Sequence, residues 1–296
     1  FPGAFAPTGS PPLIDRNCAA AGGIPTPIVA GRTDIGFCGS DLTKNFDLIS
    51  PEERVTGYAS VRYDFGTGMT LYGELGGAYN TAKIRSANFS NLKFPIVPAT
   101  NPGNLVANGG FGVPVTYFGR PRGNLGDVNQ SRTNTMIRGV IGLEGDVGKL
   151  KYDVNYTYAQ QFFAVDGVTD TKGDRFLAAL NCLGGPSNNL CFNPFGSSVT
   201  NPALGNSPAV IADFTADSFR RYTGRLHAVE AVLSGNLFDL PAGPVGFAVG
   251  GQYRSESLAF RSDRDAQTGN LVFIFTGADF KTRRSIVGLF GELAVP

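Results

Sequence analysis

The chain has 296 residues, with 25 Lys+Arg against 24 Asp+Glu, and this balance excludes the basic surplus expected of a nucleic-acid binder. With 40 Gly, 23 Phe, 10 Tyr and no Trp, the composition is turn-rich and β-rich, poor in sustained helix formers. No stretch approaches ~20 uninterrupted apolar residues, so no transmembrane helix is expected, whereas a barrel strand needs only ~9–11 alternating residues.

The chain begins FPGAFAPTGSPP, without Met, a basic segment or an apolar signal core, and reads as a processed chain or an internal piece of a longer one. Cys18 and Cys38 follow in Gly/Pro-rich sequence, and Cys182 and Cys191 recur in NCLGGPSNNLC. Four cysteines allow three connectivities, and local pairing is expected because each pair then closes a short loop. Zinc is the rival. It wants C-x₂₋₄-C spacing or histidines, and His227 is the one histidine, far away in sequence. Disulfides point to an oxidising compartment or the cell exterior.

A strand is expected over 54–65, where Ala59, Val61, Tyr63 and Phe65 alternate with Ser60, Arg62 and Asp64. After GTGM the alternation resumes, with Leu71, Gly73 and Leu75 against Tyr72 and Glu74. A second pair sets Ile137, Gly139, Ile141 and Leu143, then Leu150, Tyr152, Val154, Tyr156 and Tyr158, against Arg138, Glu144, Lys151, Asp153, Asn155 and Thr157. A third (219–238 and 243–260) places Val229, Ala231, Leu233, Val245, Phe247, Val249 and Tyr253 opposite in parity to Glu230, Ser234, Gln252, Arg254 and Glu256. The last strand sets Val287, Leu289, Gly291, Leu293 and Val295 against Glu292.

Short connections (about 66–69, 146–149 and 239–243) alternate with long ones (about 81–133, 164–218 and 261–281), so all tight turns lie at one end. Compact soluble domains rarely carry connections of roughly 50 residues, whereas outer-membrane barrels pair tight periplasmic turns with long extracellular loops. Tyr63, Phe65, Tyr156, Tyr158 and Phe238 gather near strand ends, as interfacial girdles do. Seven strands leave two open edges, which lipid does not tolerate. The expectation is therefore an all-β chain whose residues 1–296 form part of an antiparallel transmembrane β-barrel. It would show a curved open meander of about seven long strands, with large irregular loops (about 1–53, 81–133, 164–218 and 261–281) at one end.

Four segments carry a family resemblance: NCAAAGGIP…GFCGSDLTKNFDLISPEERVTGYASVRYDF, CLGGPSNNLCFNPFGS, LFDLPAGPVGFAVGGQYRSES and IVGLFGELAVP. With them the chain resembles the middle of the barrel of a TonB-dependent outer-membrane receptor, over nearly its whole length. A TonB box, a plug domain and an aromatic C-terminal strand end are not found in this sequence. The resemblance implies active uptake of a scarce ligand (siderophore, vitamin or oligosaccharide) across the bacterial outer membrane. It also implies contact with membrane lipid, lipopolysaccharide and a plug domain of the parent chain, and with the TonB complex through N-terminal parts.

Arg62, Glu74, Arg138, Glu144, Glu230, Arg254 and Glu292 share the non-lipid parity and are candidates for the lumen, or for a wall of cross-strand ion pairs. Phe111, Tyr117, Phe118, Phe192 and Phe195 are candidate ligand contacts on loops, where such residues also pack on one another. Arg220 and Arg221 are further candidate ligand contacts; with Arg225, near an outer strand end, they suit anion steering, lipopolysaccharide phosphates or solvated charge equally. Asp263 and Asp265 have calcium-like spacing, but Thr268 and Ile274 fail the EF-hand pattern and a hairpin tip is expected. His227, on the parity of Val229, reads as a headgroup-level residue. NFS, NQS and NYT match the glycosylation sequon, which has no force in a bacterial barrel. No P-loop, GxSxG, HExxH or dinucleotide motif is present, so no enzyme, cofactor or metal is expected. A passive porin and a soluble β-sandwich binding or adhesion module are the alternatives.

Overall fold

The computed structural model describes residues 3–41, 43, 46–86, 93–120 and 128–296. In chain order the strands are β1 (Ala4–Pro7), β2 (Leu13–Ile14), β3 (Ile24–Val29), β4 (Arg32–Gly39), β5 (Glu52–Asp64), β6 (Met69–Ser86), β7 (Ile96–Val97) and β8 (Val115–Phe118). The set continues with β9 (Val128–Val147), β10 (Leu150–Thr171), β11 (Thr215–Leu240), β12 (Gly243–Ser262) and β13 (Phe280–Ala294). Four short helices, α1 (Gly173–Leu180), α2 (Ser197–Thr200), α3 (Pro208–Phe214) and α4 (Arg264–Gln267), lie between strands.

The seven long strands form one antiparallel sheet in the order β13-β12-β11-β10-β9-β6-β5, a meander in which sequence neighbours pair. The sheet does not close, and β5 and β13 are its edges. Its turns are tight because the residues in them accept the required backbone. Gly66 (φ 71°) and Gly68 (φ 76°) turn the first hairpin, and Gly148 (φ 64°) turns the second with Lys149 alone beside it. The strands run further than expected at the opposite end: β10 reaches Thr171 and β11, at 26 residues, begins at Thr215.

The parity expected from the sequence holds in the register. Val61 faces Gly73, which faces Ile141, then Tyr156, Val229, Tyr253 and Val287 across all seven strands. These apolar side chains are uncovered: Val61 is 66%, Val287 71% and Leu289 84% exposed. On β5 and β6 the apolar run covers Val55–Tyr63 and Leu71–Tyr79, about 27 Å along the strand at ~3.4 Å per residue.

The band is slanted. Its upper boundary is the first polar residue on each strand, and at one edge this is Glu53, whose row continues through Thr81 and Thr133 to Ala164. At the other edge it is Ser285, whose row runs through Ser255 and His227 to Tyr158. Measured on β10, the boundary moves from Ala164 to Tyr158 in six inter-strand steps. At ~3.4 Å per residue and ~4.8 Å between strands, this is about 20 Å over about 29 Å, a slant of about 35°.

The long connections are not irregular loops. Residues from the first segment (1–53) and the 81–133 connection assemble into a second sheet, β3-β4-β2-β1-β8-β7, and α1 and α3 of the 164–218 connection pack with it around a core of Phe5, Tyr117, Phe176, Phe192, Phe195 and Phe214. The strands there are only two to eight residues long and lie in Gly-, Pro- and Asn-rich sequence, so no period-two run was long enough to mark an element. Packing between distant segments creates the module. A smaller cluster joins Ala266, Leu271 and Ile274 of the 263–279 connection to Val165 and Phe163 of β10, on the parity of Asp153. That connection thus folds over the polar face at the sheet's outer end.

Candidate functional site

The polar face of the long sheet carries a network of charge pairs. Arg62 on β5 bonds Glu144 on β9, and Arg138 on β9 reaches Glu74 on β6 at 3.1 Å. The Tyr72 hydroxyl donates to Asp153 at 3.0 Å, and Asn155 Nδ2 donates to the same carboxylate at 3.1 Å. Farther along, Gln252 donates to Glu230 at 2.8 Å, while Glu256 forms ion pairs with Arg254, at 3.0 Å, and with Arg284. Glu292 stands opposite Ala248 on the edge strand. The sheet makes room for aromatics among these charges by means of glycine. The Tyr72 ring lies over Gly142, where a Cβ would meet it at 2.2 Å, and Phe290 covers Gly250 in the same way at 2.4 Å.

At the outer end the same face turns aromatic. Phe163, Tyr222, Phe260 and Phe280 lie opposite one another on four adjacent strands, with ring centroids 6.1, 4.8 and 5.6 Å apart in turn. A charged wall leading up to an aromatic rim is suited to a polar solute with apolar parts.

Both expected disulfides form, Cys18–Cys38 and Cys182–Cys191. The loop aromatics meet different fates. Tyr117, Phe192 and Phe195 are buried in the module's core, Phe5 stacks on Phe195 at 4.1 Å, and their rings offer nothing to a solute. Phe111 is half-buried against that core, and Phe118 packs between the Phe37 and Phe94 rings. Arg220 and Arg221 part company: Arg220, on the parity of Tyr222, belongs to the polar face, whereas Arg221 lies on the apolar parity and pairs with Asp166 at 2.9 Å. Asp263 caps α4 by accepting from Ala266 N at 2.8 Å, so the 263–268 segment is a helical turn rather than a hairpin tip. Among the described residues no cluster of His, Cys, Asp or Glu has metal-binding geometry. NFS begins at 88, outside the described residues.

Sequence reasoning overlooked the polar residues that hold the module together. Asn101 donates to the carbonyls of Leu180 and Phe192, both at 2.9 Å, and accepts from Gly103 N at 3.0 Å. Asn193 accepts from Phe195 N at 3.0 Å and donates to Ser197 and Leu204. The Asn-Pro dipeptides at 101–102, 193–194 and 201–202 were the available signal, since Asn caps a turn that Pro then enters. Asp15 accepts from Asn17 N at 2.7 Å and Gly196 N at 2.8 Å, tying the first segment to α2. Burial pushes the Asp15 carboxyl up despite these bonds. Burial likewise raises the Tyr117 hydroxyl, with Asp15 adding to the effect, and lowers Arg120.

The chain matches no protein-family model and no curated protein. Its chemistry is therefore read from the faces of the sheet and from the module above it.

Proposed function

We propose that the chain forms wall and outer vestibule of a TonB-energised outer-membrane receptor that takes up a scarce ligand, a siderophore, vitamin or oligosaccharide. The slanted apolar band carries this reading. A slant of about 35° equals the tilt of barrel strands, and a run of about 27 Å at that tilt stands about 22 Å tall, close to the ~25 Å lipid-facing band of such barrels. An uncovered apolar surface of this breadth, on the order of 700 Å², exceeds what a monomer in water exposes. Lipid accounts for both its size and its slope, whereas a sandwich partner sheet would require neither.

The polar face then looks into the lumen, toward a plug domain and a passing solute. The folded module and the 263–279 connection form the ligand vestibule above it. The open edges of β5 and β13 require further strands from the parent protein.

Fractionation of cells bearing the native protein tests the membrane part. The protein should stay in the membrane pellet through a high-salt wash and leave it only in detergent; recovery in the aqueous fraction overturns the reading. Uptake of a labelled ligand should stop when the proton-motive force is collapsed, whereas a passive pore would keep conducting.

A further inference from the structure

The 263–279 connection crosses the polar face at the outer end of the sheet, and it is fastened on several sides. On β10 the buried Asp170 carboxylate accepts from Phe273 N at 3.0 Å and from Ile274 N at 2.7 Å. Next to it, Thr171 O accepts from Val272 N at 3.0 Å. On β11, Ser218 Oγ and Phe219 N both donate to Asp263, which also caps α4. The hydroxyls of Ser262 on β12 and Thr276 meet at 2.9 Å. At the start of α1, Gly173 N donates to the Asn270 carbonyl at 2.6 Å and Asp174 N to the Asn270 side chain at 3.1 Å. Lys93 of the 81–133 connection donates to Gly269 O at 2.7 Å.

Apolar packing adds to these bonds. Ala266, Leu271 and Ile274 are buried against Val165 and Val168 of β10. Val272, Ile274 and Thr276 point inward, so Phe273 and Phe275 turn outward, at 44% and 76% exposure. Segments that move on binding have few buried contacts and solvent-exposed backbone bonds. This one has the opposite character. Lifting it would strip two donors from the Asp170 carboxylate and open an apolar cluster to water.

We propose that the 263–279 connection is a fixed strap and not a moving lid, positioned by Asp170 and Asp263, and that it holds Phe275 out as a preset contact for an apolar or planar part of the solute. The mouth is then shaped on its β10–β12 side before the solute arrives, which lowers the ordering cost of binding. The inference rests on the uptake reading above, which gives the polar face its solute.

The test is amide hydrogen exchange on the detergent-purified full protein that carries this chain. In wild type the amides of 272–274 should exchange as slowly as those at the adjoining ends of β10 and β11. Asp170→Ala should speed exchange at Phe273 and Ile274 about tenfold to a hundredfold, through loss of bonds to a charged acceptor, and leave 137–143 of β9 unchanged. If that variant does not fold, Asp170→Asn, which keeps the shape without the charge, decides the matter by a smaller rise at the same amides. Asp263→Ala should loosen the strap from its other end, around α4. Phe275→Cys, in a chain whose native cysteines are all paired, should react with a membrane-impermeant maleimide on intact cells. The strap is overturned by wild-type exchange as fast as at the exposed 186–189 tip, by unchanged rates in the folded Asp170 variants, or by no labelling at position 275. The membrane pellet of the same cells separates the two readings. Protein in the pellet with fast strap exchange refutes the strap alone, whereas protein in the aqueous fraction refutes the uptake reading and with it the solute contact.

Discussion

The module and the long sheet treat apolar side chains in opposite ways. In the module Phe5, Tyr117 and Phe214 are fully buried among segments distant in sequence, stapled by disulfides and by Asn side chains that satisfy backbone groups. In the sheet, Val287 and Leu289 point outward at 71% and 84% exposure, and the charges gather on the opposite face. The first arrangement is a closed core; the second leaves one apolar side of a sheet uncovered, and on that side the proposed membrane placement rests.

The sharpest way to break that comparison is Phe5→Ala. Removing a fully buried aromatic should destabilise the module by about 3–5 kcal/mol. Limited proteolysis should then cut within 93–118 and 172–214 while the sheet keeps its folded migration in detergent. Loss of both together would show that the two regions are one cooperative unit.

Leu289→Arg tests the sheet from the other side. In water a largely exposed leucine tolerates the change within about 0.5 kcal/mol, whereas at mid-bilayer arginine costs about 2–4 kcal/mol. Refolding into lipid vesicles, followed by denaturant titration, distinguishes the two, and an unchanged midpoint would sink the lipid-facing assignment.

A subtler effect is tied to Asp15, which belongs to the module alone. Its folded-state pKa is raised, chiefly by burial, so the native module favours the protonated carboxyl. The stabilisation is full below the ordinary carboxylate pKa and is lost as pH rises through the raised value. Protease protection of the module, followed from acid to neutral pH, should fall over that window in wild type and stay flat in Asp15→Ala. A matching slope in the variant would assign the effect to another group.

The smallest change is expected for Glu74→Gln. Its pair with Arg138 is solvent-exposed, so the loss in sheet stability should stay below about 1 kcal/mol. A larger loss, measured in the same vesicle assay as for Leu289, would mean the polar face is shielded from water by a plug or solute.

The long sheet was readable in the sequence because a strand's side chains alternate strictly, so period-two runs reveal both the element and its faces. Arg220 and Arg221 illustrate how far that rule reaches. As neighbours on β11, within the strand expected over 219–238, they must take opposite faces, so they cannot act as one cluster. The module was unreadable for a different reason. Phe192 and Phe195 sit in CFNPFG, where nothing local distinguishes a core ring from a ligand contact, and their burial depends on Phe5 and Phe176, far away in the chain.

By itself the sequence determined the seven long strands, their order as a meander, the side of the tight turns and the local pairing of the cysteines, all properties of short-range pattern. Tertiary structure alone decided that the long connections fold, which aromatics are spent on packing, and that Phe163, Tyr222, Phe260 and Phe280 from four strands line up at one end of the polar face. Those outcomes depend on register and on contacts between segments separated by scores of residues, and no local pattern encodes them.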